Sequence, residues 1–530
     1  MARIDLGPFK GEMPISDPRY LPLGYAQVAR NVDLRRGRLE PLKAPLDLGI
    51  AVAGSTETIY LFNPEASGGF WFTFDTDVDV IRGPVDDDTN LRTYYTGDGV
   101  PKFTTVGLAQ SAPPYPTNSR DLGLPVPATP TATGPGGTPP SGTEAVDTTY
   151  VITFVSEFSE EGPTSFATSL VSRWDGSTVN LTNIPIPSGN FNVIAKRIYR
   201  SESGNAFQLV AEIGAGATTY DDSINSNQLG AINLSAEWVA PPAALTGLTK
   251  VANGVLAGFV KNTLYFCEPF IPHAWPLRYK ISFSEEIIAI KPVPSGVLVM
   301  TTGKPSLAVG STPGAMSEYE IDDIQPCVSK RSAVDLGEYV VYASNDGLVG
   351  NGGSEQVPLI TGNFITPKQW RTLINPSSIH AYRYDNRYLA FYDNGVTQGS
   401  FTFHPEEGFR FYDEYCDCAY LTRTGRLVIK QGTALKAWEE GANTSFTWRS
   451  PVFPTPRGEL FGACQIDAQS YPVTLEYFIS GISRKTKTVS DNKAFLLPGT
   501  FENKRDQFFE VRGTNVVTNI QLASYLEEII

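Results

Sequence analysis

Residues 253–276 read NGVLAGFVKNTLYFCEPFIPHAWP, and this stretch decides the fold. Two short apolar runs, residues 255–260 and 263–267, are separated by only Lys261 and Asn262. Two residues between such runs predict a tight β-hairpin. The second run leads into a loop in which prolines surround Phe270, His273 and Trp275. A hairpin followed by a stiff aromatic loop is typical of a repeated-sheet protein, and it carries no catalytic motif.

The same strand–turn rhythm continues through residues 236–450. Hairpin turns are predicted at residues 345–347, 385–386 and 424–425, each between apolar runs. Repeated antiparallel hairpins of this kind predict the blades of an irregular β-propeller, although no fixed period is readable. One helix interrupts the series at TPKQWRTLIN, with Thr366 as the N-cap and Pro367 in the first turn.

The fold prediction is therefore an all-β, multi-domain chain whose propeller is assembled from discontinuous segments. Residues 1–110 are predicted to supply the N-terminal segment and the first propeller or platform strands, with a helical turn near residues 25–30. Residues 111–145 are rich in Pro, Gly, Ser and Thr and predict an extended connector. Residues 146–235 predict a β-sandwich inserted before the main propeller of residues 236–450. Residues 451–530 predict a C-terminal β domain that closes the platform.

Composition agrees with many short strands. The 530 residues include 48 Gly and 40 Pro but only 4 Met, which favours turns and strands over long helices. The net charge of −14 argues against a protein that grips nucleic acid, because phosphate binding requires clustered Lys and Arg. No apolar run reaches membrane-spanning length, and the five Cys predict reduced packing residues rather than a disulfide framework.

Catalytic patterns are weak. There are three His, no GxSxG elbow and no phosphate-binding GxxxxGK[ST] loop, so we predict neither an enzyme nor a bound cofactor or metal. Glycoside hydrolysis is harder to dismiss, since it needs only two suitably spaced carboxylates and the chain has 56 acidic residues. Core and interface packing remains the favoured use of the aromatic–acidic stretches.

Two places are predicted as interface sites. Arg35, Arg36 and Arg38 form the densest basic stretch, in which a protein-interface anchor and a solvated turn are equally supported. Phe270, His273 and Trp275 form the second predicted interface site, on the loop after the hairpin.

Three segments resemble the nozzle, or tail tubular protein B, family of short-tailed bacteriophages. LPLGYAQVARNVDLRRGRLEPLKAP at residues 21–45 is similar to the opening of these proteins, and residues 253–276 are similar to their hairpin followed by the EPxxPHAWP loop. The segment YVITFVSEFSEEGPTS, continued by AKRIYRSESGNAFQLVAEI, resembles their fibronectin type III-like insertion, although other small sandwiches share this pattern.

The resemblance implies a structural virion protein. Six copies would form a ring at the distal end of the tail, retain the genome and conduct DNA during ejection without sequence-specific binding. The implied partners are a tail adaptor protein linked to the portal, and fibre or spike proteins. Assembly would take place in the host cytoplasm, and the implied final location is the virion. The alternatives are a receptor-binding or polysaccharide-degrading tail protein, and a carbohydrate-binding β protein unrelated to viruses.

Overall fold

The structure, a computed structural model, describes residues 3–64, 69–354, 356, 358–454, 460–498 and 506–529. About 43% of the chain is strand and 6% is helix, so the predicted β class is confirmed as a fold of many separate sheets. The chain forms two compact units. Unit 1 contains residues 1–61, 298–307 and 320–530, and unit 2 contains residues 62–297 and 308–319. The five predicted segments do not coincide with these units.

The strands are numbered in chain order. The first part of the chain contains β1 (Ile4–Leu6), β2 (Val28–Arg30), β3 (Val32–Asp33), β4 (Glu40–Pro41), β5 (Leu46–Ala51), β6 (Thr58–Phe62), β7 (Phe70–Phe74), β8 (Asp79–Arg82), β9 (Thr93–Thr96), β10 (Lys102–Thr104), β11 (Arg120–Asp121) and β12 (Thr131–Thr133). The next part contains β13 (Val146–Ser156), β14 (Val171–Arg173), β15 (Val179–Thr182), β16 (Val193–Glu202), β17 (Gln208–Gly214), β18 (Tyr220–Asp222), β19 (Thr246–Lys250), β20 (Leu256–Val260), β21 (Thr263–Phe266), β22 (Lys280–Ser282) and β23 (Ile287–Val293).

The remaining strands follow in the same order. They are β24 (Gly296–Thr301), β25 (Ser306–Val309), β26 (Ser317–Glu320), β27 (Val334–Asp335), β28 (Val340–Ala343), β29 (Leu348–Asn351), β30 (His380–Tyr384), β31 (Arg387–Asp393), β32 (Gln398–His404), β33 (Gly408–Tyr412), β34 (Cys418–Leu421), β35 (Leu427–Gln431) and β36 (Ala434–Ala437). The last are β37 (Phe446–Arg449), β38 (Phe453–Pro454), β39 (Ala463–Ala468), β40 (Val473–Ile479), β41 (Ile482–Val489), β42 (Phe495–Leu496), β43 (Asp506–Gly513) and β44 (Val517–Ala523).

Helices are short. The α-helices are α1 (Val106–Ala109) and α2 (Pro367–Leu373), and 3-10 turns occupy Ser226–Gln228, Ala252–Gly254, Pro313–Ala315, Lys330–Ser332, Pro376–Ser378 and Leu526–Glu528. Helix α2 is the predicted one, and the Thr366 hydroxyl accepts a hydrogen bond from the Gln369 N–H in a capping box. Within the described ranges, no helix has the length and apolarity needed to cross a membrane.

Unit 1 contains a ten-stranded sheet with the order β30-β31-β32-β33-β2-β37-β43-β40-β41, and β38 also pairs with β43. Smaller sheets are β1-β44-β39-β42, β27-β28-β29, β3-β4 and β34-β35-β36-β5. The C-terminal segment predicted to be β contains strands β40 to β44. They join sheets that also contain N-terminal strands, because β1 pairs with β44 and β2 pairs with β37.

The helical turn predicted near residues 25–30 is wrong. Val28–Arg30 is strand β2, which runs antiparallel to β37 and meets β33 in parallel at Arg30 and Phe411. Three residues have little intrinsic preference of their own, so pairing on both sides overrides the local propensity.

Unit 2 contains two meanders, β8-β9-β10-β11 and β19-β20-β21-β22, and two sheets between residues 131 and 222. These two sheets have the orders β12-β15-β18 and β14-β13-β16-β17, and one apolar core contains Ile152 and Ile198 from the second sheet and Val179 and Leu181 from the first. The 253–276 hairpin is confirmed, since Val260 pairs with Thr263 across Lys261 and Asn262. Two further sheets in the chain are β6-β7 and β23-β24-β25-β26.

The predicted connector is only partly free. It contributes β11 to the β8–β10 meander and β12 to the first sandwich sheet, and Leu122 and Leu124 are buried. All five Cys are free and buried, as predicted for packing residues.

Glu12 is half-buried, and its carboxyl group positions β2. Its Oε1 accepts a hydrogen bond of 2.7 Å from the Ala29 N–H, which lies in the middle of β2. Burial raises the pKa of Glu12 to about 7, against the lowering effects of the Ala29 hydrogen bond and of the Arg30 and Arg449 charges. The folded state therefore holds this proton more tightly than the unfolded chain does, so the contribution of Glu12 to stability falls as the pH rises from its unfolded pKa of 4.5 to about 7.

We predict that Glu12→Gln changes the pH dependence of stability. Gln keeps an oxygen acceptor for Ala29 but cannot ionise, so the stability of the variant relative to the native chain should rise by about 3 kcal/mol between about pH 4.5 and pH 8. Urea unfolding at several pH values measures this difference. Glu338→Gln, at an exposed position, is the control. A stability difference for Glu12→Gln that stays constant with pH would contradict the prediction.

Candidate functional site

The loop that follows the β20–β21 hairpin and carries Phe270, His273 and Trp275 is held in one shape by close backbone contacts. Phe270 has a left-handed backbone with φ of 60°, and its N–H donates to the Gly254 carbonyl at 3.0 Å. Gly254 also has positive φ, and a Cβ at this position would lie 2.5 Å from the Phe270 ring. Only glycine combines this backbone conformation with so close an approach of the ring.

Trp275 lies in the core of this region. Its side chain is 2% exposed, its Nε1–H donates to the Pro272 carbonyl at 2.8 Å, and its backbone N–H donates to the Val239 carbonyl at 2.8 Å. The indole therefore fixes the loop from within, and burial leaves it no surface to offer a partner.

His273 is a buried, neutral imidazole. Burial lowers its pKa, although the charge of Glu160 acts in the opposite direction, with its carboxylate 3.8 Å from Nδ1. The ring packs edge-on against Trp238, and its Nε2 has no hydrogen-bond partner among the described residues.

Phe270 and His273 line a groove within unit 2, which we call the sandwich groove. Its volume is about 650 Å³. The rim is formed by exposed apolar side chains, namely Ile232, Leu234 and Phe270, which are 55%, 77% and 57% exposed.

The floor of the sandwich groove is a set of ion pairs. Arg197 contacts Glu161 at 2.7 Å and Glu212 at 2.9 Å, and Arg92 contacts Glu160 at 3.1 Å. The carboxylates are thus already occupied by guanidinium groups. An apolar rim around a charge-paired floor is suited to binding a protein surface rather than to chemistry.

The second predicted set, Arg35, Arg36 and Arg38, lies in the loop between β3 and β4 in unit 1. Arg35 contacts Asp33 at 2.6 Å, Glu439 at 3.6 Å and also Asp385. Arg38 contacts Glu40, whereas the Arg36 side chain is 72% exposed and lies 3.9 Å from the same carboxylate. Arg35 is therefore built into its own unit, and Arg36 is the member of the set that is best placed for a partner.

The two predicted sets belong to different units, and each forms its own site. Their interface assignment stays a prediction. The buried Arg410, which shares the Asp33 carboxylate with Arg35, was not predicted from the sequence. The local signal was an Arg in the middle of the aromatic strand GFRFY, because a charged residue there must find a partner. The partner Asp33 lies 377 residues away, so spacing could not identify it.

Among the described residues, no group of three or more His, Cys, Asp or Glu side chains could hold a metal ion.

Comparisons with known proteins give little. No family model and no curated protein matches the chain. The extracellular domain of a putative one-component system from B. thetaiotaomicron is 10% identical over 66% of this chain and 46% of its own length, with a TM-score of 0.26. PorZ, a surface component of the type-IX secretion system of Porphyromonas gingivalis, is 12% identical over 81% of this chain and 62% of its own, with a TM-score of 0.26.

A glycoside hydrolase family 43 arabinoxylan arabinofuranohydrolase from Bacillus subtilis is 9% identical over 66% of this chain and 93% of its own, with a TM-score of 0.19. This chain thus spans less than two thirds of the first two proteins. Likenesses this distant do not bear on activity.

We predict that Trp275→Phe loosens the loop that carries Phe270 and His273. The substitution keeps the aromatic bulk but removes the donor to the Pro272 carbonyl, which should cost about 1–2 kcal/mol locally. Hydrogen exchange measures the effect, and the Glu268 and Ala274 amides should exchange faster while those of β39 and β44 stay unchanged. Unaltered exchange in the loop would show that the indole N–H does not hold it.

Proposed function

We propose that this chain forms the distal nozzle ring of a short bacteriophage tail. The observation that carries the proposal is the order of the three sequence segments that resemble nozzle proteins, at residues 21–45, 150–213 and 253–276. The last of these segments has the hairpin-and-loop form that the resemblance implies, with Trp275 fixing the loop.

The sheet orders support an irregular propeller as the main body of the ring subunit. Three four-stranded stretches are antiparallel meanders of consecutive strands, namely β8–β11, β19–β22 and, within the ten-stranded sheet, β30–β33. Propeller blades are built in this way. The strand β5 pairs with β36 and completes the sheet β34-β35-β36-β5. Because β5 comes from the N-terminal region, its pairing with β36 covers an edge of this sheet. The pairing also connects segments that are distant in sequence, as closure of a propeller requires.

The two sheets between residues 131 and 222 support the inserted sandwich. They share one core and are flanked in sequence by meanders, which supports an insertion between two blades. We propose a fibronectin type III-like module here.

The net charge of −14 supports a conduit through which DNA passes without adhering. Each phosphate neutralised by a basic residue adds salt-dependent affinity, so an acidic wall would let the genome slide. A strongly basic lumen in a charge map of the assembled ring would contradict this part of the proposal.

We propose that the rim of the sandwich groove contacts a neighbouring copy of the chain. Closed rings use heterologous contacts, in which one patch binds a different patch on the next subunit. Ile232, Leu234 and Phe270 expose apolar surface around one groove, and aromatic side chains are enriched in such contacts.

We expect immunogold electron microscopy of intact phage particles, with an antibody against this chain, to label the distal tip of the tail axis. A ring at this position is the defining property of a nozzle. Label on peripheral appendages would instead indicate a receptor-facing protein and would overturn the proposal.

We expect Phe270→Asp to weaken ring assembly by the purified chain, since a charge placed in an apolar contact must lose its hydration. Analytical ultracentrifugation measures the shift from hexamer to smaller species. Phe166→Asp is the matched control, because Phe166 is 82% exposed in the same unit and does not line the groove. Equal assembly of the two variants would exclude the groove rim as the contact.

A further inference from the structure

A loop near the start of unit 1 presents apolar side chains to solvent. Residues 14–24 form a series of turns, which we call the tyrosine loop. Tyr20, Leu23 and Ile15 are 81%, 60% and 41% exposed. One aromatic and two aliphatic side chains therefore concentrate apolar surface on a single short segment, and such surface is typical of a contact site.

The tyrosine loop is fixed to unit 1 at several points. The Ile15 N–H donates to the Phe364 carbonyl at 2.8 Å, and the Val452 N–H donates to the Pro18 carbonyl at 2.9 Å. Leu21 packs against the aromatic core of the unit, and three prolines within the loop restrict its backbone. Because the loop is already ordered, a partner that binds it loses little additional conformational entropy.

The sandwich groove of unit 2 offers the matching apolar surface. Its volume of about 650 Å³ lies within the range of sites that enclose small ligands, so it has room for several side chains. Its rim exposes Ile232, Leu234 and Phe270, and Phe158 and Trp238 also line it. An aromatic side chain that enters this space can pack against other aromatic rings.

The charges of the two surfaces are also complementary. Two guanidinium groups and three carboxylates line the groove, which leaves one negative charge in excess. Glu212 is the most exposed of these carboxylates, at 50%, and it shares Arg197 with Glu161. In the tyrosine loop, the Arg19 side chain contacts Asp506 at 2.9 Å and is still 57% exposed. An accessible cation beside the apolar side chains therefore suits the acidic groove.

We propose that the tyrosine loop of one copy of the chain inserts into the sandwich groove of a neighbouring copy. Tyr20 is the central anchor, Leu23 packs on the apolar rim and Arg19 lies toward Glu212. Tyr and Arg are the side chains that most often carry the binding energy of an interface. Loop and groove are different surfaces, so each copy offers one of each, as the heterologous contacts of a closed ring require. The contact rests on the proposed function, since it names the surface that meets the groove rim.

Cross-linking between two cysteine variants tests this contact. One preparation carries Leu23→Cys and the other carries Leu234→Cys, and a short bis-maleimide joins exposed thiols that lie close together. All five native Cys are buried, so the native chain should not react. We expect cross-linked dimers only when the two preparations are assembled together. A chain that carries both substitutions should give a ladder of products that reaches six chains.

Phe166→Cys in place of Leu234→Cys is the control, because Phe166 is exposed in the same unit and does not line the groove. Equal cross-linking of the two mixtures, or a link formed only within one chain, would overturn the contact. A ring that sediments normally but gives no link between loop and groove would overturn the contact and leave the proposed function standing. A chain that forms no ring would overturn both.

A substitution of Tyr20 tests its role as the anchor. We expect Tyr20→Ala to weaken the association of subunits at least about tenfold in analytical ultracentrifugation, as the loss of a central aromatic side chain implies. Tyr525→Ala is the matched control, because Tyr525 is 67% exposed in the same unit and lies outside the tyrosine loop. Equal association of the two variants would refute the assignment of Tyr20.

Discussion

The three-residue strand β2 is the constraint on which unit 1 depends. It lies between β33 and β37, so it joins the β30–β33 meander to the C-terminal strands in one sheet. It is too short to satisfy its own backbone groups through the ladder, and the side chain of Glu12 supplies the acceptor for the Ala29 N–H. Loss of hydration makes this carboxyl costly to ionise, so the junction is sensitive to pH.

Buried charges recur wherever distant segments meet. In unit 1, Arg410 pairs with Asp33 from the N-terminal region. In unit 2, Arg200 and Asp222 pair at 2.6 Å, both fully buried, and the Tyr150 hydroxyl donates to the same carboxylate at 2.7 Å. Such pairs add little net stability compared with apolar packing. Removing one partner of a pair nevertheless destabilises the fold strongly, because the other charge is left buried without a partner. They favour the native strand pairing over alternatives in a chain made of many similar hairpins.

The sandwich groove in unit 2 combines an exposed apolar rim with a buried His273. Its floor consists of carboxylate and guanidinium groups that are paired with each other.

The sequence by itself determined the local elements. The Lys261–Asn262 hairpin, the Thr366-capped helix and the strands of residues 473–523 follow from alternation, capping and turn residues, which act over a few positions. Tertiary structure alone decided that residues 28–30 are a strand, that Trp275 is buried and that Arg410 is held by Asp33. These outcomes depend on contacts between segments hundreds of residues apart or on burial in a shared core. Local sequence does not encode them, because the free energy of such pairing comes from partners that spacing cannot identify.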